Sequence, residues 1–178
     1  MSRIPLVTPQ DATGETQAVL GQIHGAFGAT PNMFRAVANS TAALKSMWGS
    51  FGALGAGVIP AALGEKIAVA IANRNACEYC LAAHTALGRK AGASSQEMSA
   101  AQGGESDDPK TAAALHFALR VVEGRGQIDD GEVAQLRSVG FNDGEIVEIL
   151  AHVALNLFTN YVNVAFAVPV DFPGVKLR

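Results

Sequence analysis

Residues 65–84, EKIAVAIANRNACEYCLAAH, decide the fold, because they contain two predicted helices and the polar interruption between them. The first helix begins after Pro60, and its apolar residues recur at helical spacing. The polar cluster Asn73–Asn75 can end this helix, and Asn75 can cap a second one, which Gly92 closes. The sequence therefore predicts two helices joined at Asn73–Asn75 rather than one continuous helix.

Helix start and stop signals continue along nearly the whole chain, and no segment indicates a sheet. An extended arm is expected at residues 3–7, where Pro5 and Pro9 discourage a helix, and a helix is expected from about Glu15 to Phe27. The glycine-rich segment 55–60 is predicted to be a turn, with an entrance to a site as the alternative. The remaining helices are predicted from capping residues: Thr30 before Pro31, Ser40, Ser94 with Glu97, Asp108 before Pro109, Asp129 with Glu132, and Asn142 with Glu145. The fold class is therefore all-α.

Length and composition predict one domain and exclude some partners. The 178 residues contain no linker that divides them, so we expect a single domain over residues 1–178. Apolar residues make up 49% and charged residues 16%, which predicts that part of the surface is buried in a homo-oligomer. The net charge of -3 leaves no basic face for nucleic acid.

The N-terminal residues lack the apolar core of an export signal, so a reducing cytoplasm is the expected location. The run after Glu148 is the most apolar of the chain, but His152 and three asparagines interrupt it within the length of a membrane span. We therefore expect a buried helix and no contact with a membrane.

Both cysteines of the chain lie at the start of the second helix, in the order Cys-x-x-Cys. Because helical residues turn by about 100° each, Cys77, Cys80 and His84 share one face. Their spacing allows Cα atoms roughly 5–6 Å apart, which a disulfide can bridge. The pair is thus predicted to open and close as a dithiol.

A thiol reacts as its thiolate, and two effects can lower its pKa here. Cys77 lies at the helix N-terminus, which is the positive end of the helix dipole, whereas Cys80 lies one turn from the imidazole of His84. We predict that Cys80 is the nucleophile and that His84 is its base. The alternative is Cys77, which the dipole alone would favour.

Glu65 can join this group only if the chain turns back at Asn73–Asn75. In an unbroken helix it would lie about 18 Å along the axis from Cys77. With two packed helices, its carboxylate can orient His84 and stabilise the charged imidazole. The alternatives are a solvated Glu65, two buried structural cysteines, or a zinc site formed by Glu65, Cys77, Cys80 and His84.

The remaining polar candidates lie on other predicted helices. A stripe of His152, Asn156, Asn160 and Asn163 runs along the last helix, and we favour hydrogen bonds between helices or subunits over a role in lining the dithiol pocket. His116 is expected to be a core or interface residue and His24 a surface residue.

The residues Glu65, Cys77, Cys80 and His84 have the spacing of Glu, eleven residues, Cys-x-x-Cys, three residues and His. In this the chain resembles the alkylhydroperoxidase D-like, peroxidase-related branch of the carboxymuconolactone decarboxylase superfamily. The likeness extends to TPNMFRA at 30–36 and to FNDGEIVEILAHVALNLFTNYVN at 141–163, and it covers most of the chain. Tyr79 stands where alkylhydroperoxidase D proteins often have a second relay histidine.

The resemblance implies an all-helical subunit in a dimer, trimer or trimer of dimers. It also implies a thiol peroxidase or disulfide reductase that works with Glu65, Cys77, Cys80 and His84, uses no metal or other cofactor, and takes electrons from an external dithiol of the lipoyl type. A hydroperoxide is the expected substrate. A lyase that uses His84 and Glu65 as acid and base, and an oxidant sensor without turnover, are the alternatives.

Overall fold

The computed structural model describes residues 1–178 and contains nine α-helices and no strand, which confirms the all-α prediction. The helices are α1 (Gly14–Phe27), α2 (Asn32–Val37), α3 (Thr41–Gly55), α4 (Ala61–Arg74), α5 (Glu78–Lys90), α6 (Ser95–Gln102), α7 (Pro109–Gly124), α8 (Asp130–Ser138) and α9 (Asp143–Ala165). The expected break falls between α4 and α5.

Most helix starts are where their capping residues predict them. Ser94 and Asn142 each form a complete capping box, with Glu97 and Glu145 respectively. Ser40 accepts a hydrogen bond from the amide of Ala43 at the start of α3. At α2 the prediction is one residue early, because Pro31 itself occupies the N-cap position and no side chain caps this helix. Side-chain capping therefore fixes three of these four helix starts.

Helix α4 lies at the centre of the molecule and packs against α5, α6, α7 and α9. Every residue from Lys66 to Ala72 is buried, as expected for a helix with apolar residues on most of its faces. The one charge in that segment, on Lys66, is paired with Glu97 at 2.7 Å. Because α4 contacts four other helices, it provides the fixed frame on which a site can be built.

The two ends of the chain lie against the helices. The amide of Arg3 donates to the carbonyl of Phe166, and the amide of Val7 donates to that of Arg35. After α9 the tail returns across the molecule, where Asp171 accepts a hydrogen bond from the amide of Asn32 and the amide of Arg178 donates to Asn73 Oδ1. The tail thus covers the region where α4 meets α5.

None of the helices combines the length and the apolar character needed to cross a membrane. The longest, α9, contains the predicted polar stripe, and three of its asparagines are buried.

Candidate functional site

The break between α4 and α5 brings Glu65 and His84 together. Ala76 has the left-handed backbone conformation, with φ of 51°, and it reverses the chain direction so that the two helices pack side by side. At the crossing, a Cβ on Gly88 would come within 3.3 Å of the Glu65 Cβ, so glycine there permits the close approach. The result is a hydrogen bond of 2.7 Å between His84 Nδ1 and Glu65 Oε2.

The two cysteines form a disulfide, with their Cα atoms 5.4 Å apart. Cys77, rather than the predicted Asn75, occupies the N-cap position of α5, and its sulfur accepts a hydrogen bond of 3.2 Å from the amide of Cys80. The prediction of Asn75 was wrong because the turn at Ala76 adds two residues before α5 starts. The N-terminus of α5 is therefore placed to stabilise negative charge on the Cys77 sulfur when the disulfide is reduced.

The predicted polar stripe on α9 divides into two parts with different partners. Asn163 Nδ2 donates to Cys80 Sγ at 3.2 Å, and Asn163 is buried. Asn160 Oδ1 accepts from Asn75 Nδ2 at 3.0 Å, so it holds the turn between α4 and α5. The favoured interpretation, hydrogen bonds between helices, therefore fits Asn160, while Asn163 contacts the dithiol itself.

The other two stripe residues, His152 and Asn156, line a cavity of about 140 Å³ together with Glu65 and His84. We call this the polar cavity. A Cβ on Gly64 would come within 3.1 Å of the His152 ring, so α9 approaches α4 closely at this point. His152 Nε2 and Asn156 Oδ1 are buried without a hydrogen-bond partner. The sequence indicated these two residues only through their periodicity.

Burial lowers the pKa of His152 below its usual value, with an opposing effect from the negative charges of Glu148 and Glu65. Glu148 in turn accepts hydrogen bonds from the amides of Val58 and Ile59, which lower its pKa. The glycine-rich segment is thus a turn anchored to α9, and its Gly55 and Ile59 also line the polar cavity. The segment is therefore the favoured turn, and an entrance to the site stays a prediction.

A second cavity, of about 30 Å³, lies on the Cys80 side of the disulfide. We call it the aromatic cavity, because Phe27, Phe34, Phe51, Tyr79 and Phe172 line it together with Cys80, His84 and Asn163. Burial raises the pKa of the Tyr79 phenol, which stays neutral and accepts a hydrogen bond from the amide of Met33. His84 lines both cavities and so lies between Cys80 and the polar cavity.

Two further histidines lie away from the site. His116 is exposed on α7, so of the two expected places the core is wrong and the interface stays a prediction. Its apolar sequence neighbours point inward, while the helix turns His116 itself toward solvent. His24 is exposed, as expected.

Comparisons with known proteins agree with this architecture. The model of the carboxymuconolactone decarboxylase family matches residues 39–124, which include the whole Glu65–His84 segment. A peroxidase-related protein from Silicibacter sp. TM1040 is 26% identical, with a TM-score of 0.82 over 94% of this chain and 91% of that one. Residues 39–124 of this protein thus match the carboxymuconolactone decarboxylase family, and the chain has the fold of AhpD-like, peroxidase-related proteins.

Other solved structures of the AhpD-like fold are more distant in sequence. The AhpD core protein from Ralstonia eutropha JMP134 is 22% identical, with a TM-score of 0.87 over 96% of this chain and 92% of that one. The debrominase Bmp8 in its C82A form is also 22% identical, with a TM-score of 0.80 over 96% of this chain and 94% of that one. A search of curated proteins returned no match.

Proposed function

We propose that this AhpD-like protein is a thiol-dependent oxidoreductase that reduces hydroperoxides through a dithiol–disulfide cycle of Cys77 and Cys80. One observation supports this proposal above the others: the Glu65–His84 hydrogen bond of 2.7 Å holds an imidazole that lines the same cavity as Cys80. A carboxylate, an oriented imidazole and a thiol in this order form an activated nucleophile.

In the reduced protein, His84 takes the proton of the Cys80 thiol, and Glu65 stabilises the resulting imidazolium. The side-chain amide of Asn163 donates from Nδ2 to the Cys80 sulfur and favours the thiolate. The thiolate attacks the terminal oxygen of the hydroperoxide and the O–O bond breaks. His84 protonates the alkoxide that leaves, so the products of this step are an alcohol and a sulfenic acid on Cys80.

The thiol of Cys77 then attacks the sulfenic sulfur, which forms the disulfide and releases water. In the disulfide form the Cα atoms are 5.4 Å apart, which is within the usual range for a disulfide. The dithiol can donate only two electrons before it becomes a disulfide. An external dithiol must therefore reduce the disulfide by exchange before the next turnover. The family resemblance suggests a lipoyl-type dithiol for this step.

The size of the aromatic cavity supports a small reacting group. About 30 Å³ holds roughly two water molecules, and a hydroperoxide group has two oxygen atoms. A larger organic body would require the surrounding aromatic side chains to move. The small volume of the aromatic cavity therefore favours a hydroperoxide over a bulky planar substrate.

Reductive removal of halogen from an aromatic ring is a second candidate function. The debrominase Bmp8 C82A, which has the same fold, was solved in complex with 2,3,4-tribromopyrrole, and five aromatic side chains surround Cys80 in this chain. In such a reaction the Cys80 thiolate would take the halogen as a sulfenyl halide, and His84 would supply the proton that replaces it on the ring. Cys77 would then displace halide and form the same disulfide.

The test offers the reduced protein a hydroperoxide or 2,3,4-tribromopyrrole, with dihydrolipoamide as the reductant. We expect hydroperoxide turnover by the wild type and loss of at least about 100-fold in Cys80→Ser. His116→Gln is the matched control, because His116 is an exposed histidine outside the site. Mass spectrometry should detect a sulfenic acid in Cys77→Ser and none in Cys80→Ser.

Four results would overturn the proposal in different ways. Turnover that survives in Cys80→Ser would favour acid–base chemistry by His84 and Glu65, as in a lyase. Release of bromide with no consumption of hydroperoxide would favour dehalogenation. Oxidation of the dithiol without a reductant-dependent cycle would leave a sensor. Attack through Cys77 would be indicated by a sulfenic acid in Cys80→Ser only.

A further inference from the structure

The two cysteines of the dithiol line different spaces. Cys80 lines the aromatic cavity, whereas Cys77 lines an open groove of about 400 Å³ on the other side of the disulfide. We call this space the Cys77 groove; its walls are residues 76–79, the end of α9 and the segment that follows α9. Tyr79 and Asn163 line both spaces and form the partition between them.

The Cys77 groove is apolar and open to a molecule from solution. Its walls include Ala167, Val168 and Pro169, and its rim includes Val164 and Val170, which are 47% and 41% exposed. Glu78 is the one charged residue in the lining. A groove of this size and character suits a neutral hydrocarbon chain, and Glu78 disfavours an anion.

Attack on one sulfur of the disulfide expels the other as a thiolate, so the groups around each sulfur affect the reaction. In thiol–disulfide exchange, the sulfur that leaves must accept an electron pair, and groups that stabilise its thiolate speed the reaction. Asn163 donates to Cys80 Sγ, and His84 lines the same cavity and can protonate it. Attack on Cys77 would therefore expel a well-stabilised Cys80 thiolate.

The Cys80 amide gives Cys77 a comparable stabilisation, because it donates to Cys77 Sγ at 3.2 Å. Electrostatics alone therefore do not choose between the sulfurs. Exposure does not choose either, since Cys77 is 1% and Cys80 2% exposed, so the volume beside each cysteine decides. The space in front of Cys80 is about 30 Å³, while the groove at Cys77 is about 400 Å³. The larger space has the volume for a dithiol with a carbon chain, whereas the smaller holds roughly two water molecules.

We propose that a neutral, apolar dithiol binds in the Cys77 groove and attacks Cys77 Sγ, so that reductant and oxidant approach the disulfide from opposite sides. This inference rests on the proposed function. One thiolate of the reductant forms a bond with Cys77 Sγ, the Cys77–Cys80 bond breaks, and the Cys80 thiolate takes the electron pair and a proton. The second thiol then attacks the reductant's own sulfur in the mixed disulfide, which releases Cys77 as a thiol and leaves the reductant as a cyclic disulfide.

The first experiment locates the mixed disulfide. The protein is oxidised with diamide, treated with dihydrolipoamide methylated on one sulfur, which cannot complete the second step, and alkylated in acid. Fragmentation of the peptide between Arg74 and Arg89 separates the two cysteines, since Glu78 and Tyr79 lie between them. We expect the adduct on Cys77 and the alkyl group on Cys80; an adduct on Cys80, or equal amounts on both, would overturn the proposal.

The second experiment tests the groove by the rate of each half-reaction. In Val170→Glu we expect the reduction of the disulfide by dihydrolipoamide to slow about fivefold, because a carboxylate in the groove repels the attacking thiolate. The oxidation of the dithiol by hydroperoxide should stay unchanged. Val170→Thr keeps the shape without the charge and should reduce the rate less.

Equal effects of Val170→Glu and Val170→Thr on both half-reactions would contradict a binding role of the groove. The wild type should also react more slowly with dihydrolipoate than with dihydrolipoamide, because the former carries a carboxylate on the same chain. Since diamide forms the disulfide in these experiments, they remain informative even where hydroperoxide is not the substrate. Failure of the proposed function and failure of this inference are therefore distinguishable.

Discussion

At the scale of single residues, the two cysteines differ in the groups that face them. Cys77 has a backbone amide as its partner, which any residue at position 80 would supply, whereas Cys80 has the side-chain amide of Asn163. Asn163 is buried, and its Oδ1 has no hydrogen-bond partner. Burial of an unsatisfied carbonyl has a free-energy cost, so a purely structural role explains this residue poorly.

We predict that Asn163→Ala raises the pKa of Cys80, measured in the Cys77→Ser background by the ultraviolet absorbance of the thiolate. A hydrogen bond to a charged group contributes about 1.5–3 kcal/mol, which corresponds to a rise of roughly one to two pH units. Asn156→Ala is the control, because Asn156 lies on the same helix and bonds to the carbonyl of His152. An unchanged Cys80 pKa in Asn163→Ala would mean that this contact does not activate the sulfur.

Glu65 acts on the dithiol through His84, and this order predicts how two substitutions combine. His84→Gln should slow the oxidation of Cys80 by about 100-fold, the lower end of the range for general acid–base catalysis. Glu65→Gln should slow it less, by about tenfold, because the imidazole remains but loses its orienting carboxylate. Stopped-flow rates of the double variant should match His84→Gln alone. Multiplicative losses would indicate that Glu65 acts independently.

At the scale of the helices, α9 contributes Asn163 to the dithiol, Asn160 to the turn at Asn75 and His152 to the polar cavity. The period of the stripe could be predicted from the sequence, because polar residues three or four apart share one face. Its partners could not, since Asn163 and Cys80 are 83 residues apart in the chain. Their contact depends on how α9 crosses α4 and α5, which no local pattern determines.

The stability of the α4–α9 contact should depend on pH through His152. Burial lowers the pKa of His152 in the folded state, while the unfolded chain keeps a value near 6.5. Between these two values the unfolded state binds more protons, so stability is complete above about pH 6.5 and falls as the pH decreases. Glu148 and Glu65 oppose this shift and His84 adds to it.

We therefore expect the free energy of unfolding of the wild type to decrease more steeply between pH 7 and pH 5 than that of His152→Asn. Urea titrations at several pH values measure this difference. His24→Asn and His116→Asn are controls, because both histidines are exposed. Parallel curves for the wild type and His152→Asn would show that the folded protein tolerates a charged imidazole there.

At the scale of the whole molecule, the sequence predicts the helices better than the tertiary contacts between them. The capping pairs Ser94–Glu97 and Asn142–Glu145 are local, and both form as predicted. The polar cluster predicts the break between α4 and α5, but it places the N-cap of α5 wrongly at Asn75. The left-handed conformation of Ala76 causes this error, because an alanine does not indicate that conformation. The division of space around the disulfide arises only when the tail after α9 packs over α5.

The outer face of α9 leads to a last prediction, which concerns assembly. Val147, Leu150, Phe158 and Tyr161 are between 37% and 65% exposed and recur at spacings that place them on one side of the helix. Leu150 and Tyr161 also line an apolar cleft against α7. An apolar stripe of this kind on a chain with 49% apolar residues favours burial against a second copy.

We expect light scattering to detect an oligomer of the wild type and a smaller species in Leu150→Glu. Val58→Gln, at an exposed valine outside α9, is the control and should leave the mass unchanged. A monomeric wild type would contradict the prediction and leave the apolar stripe without a partner.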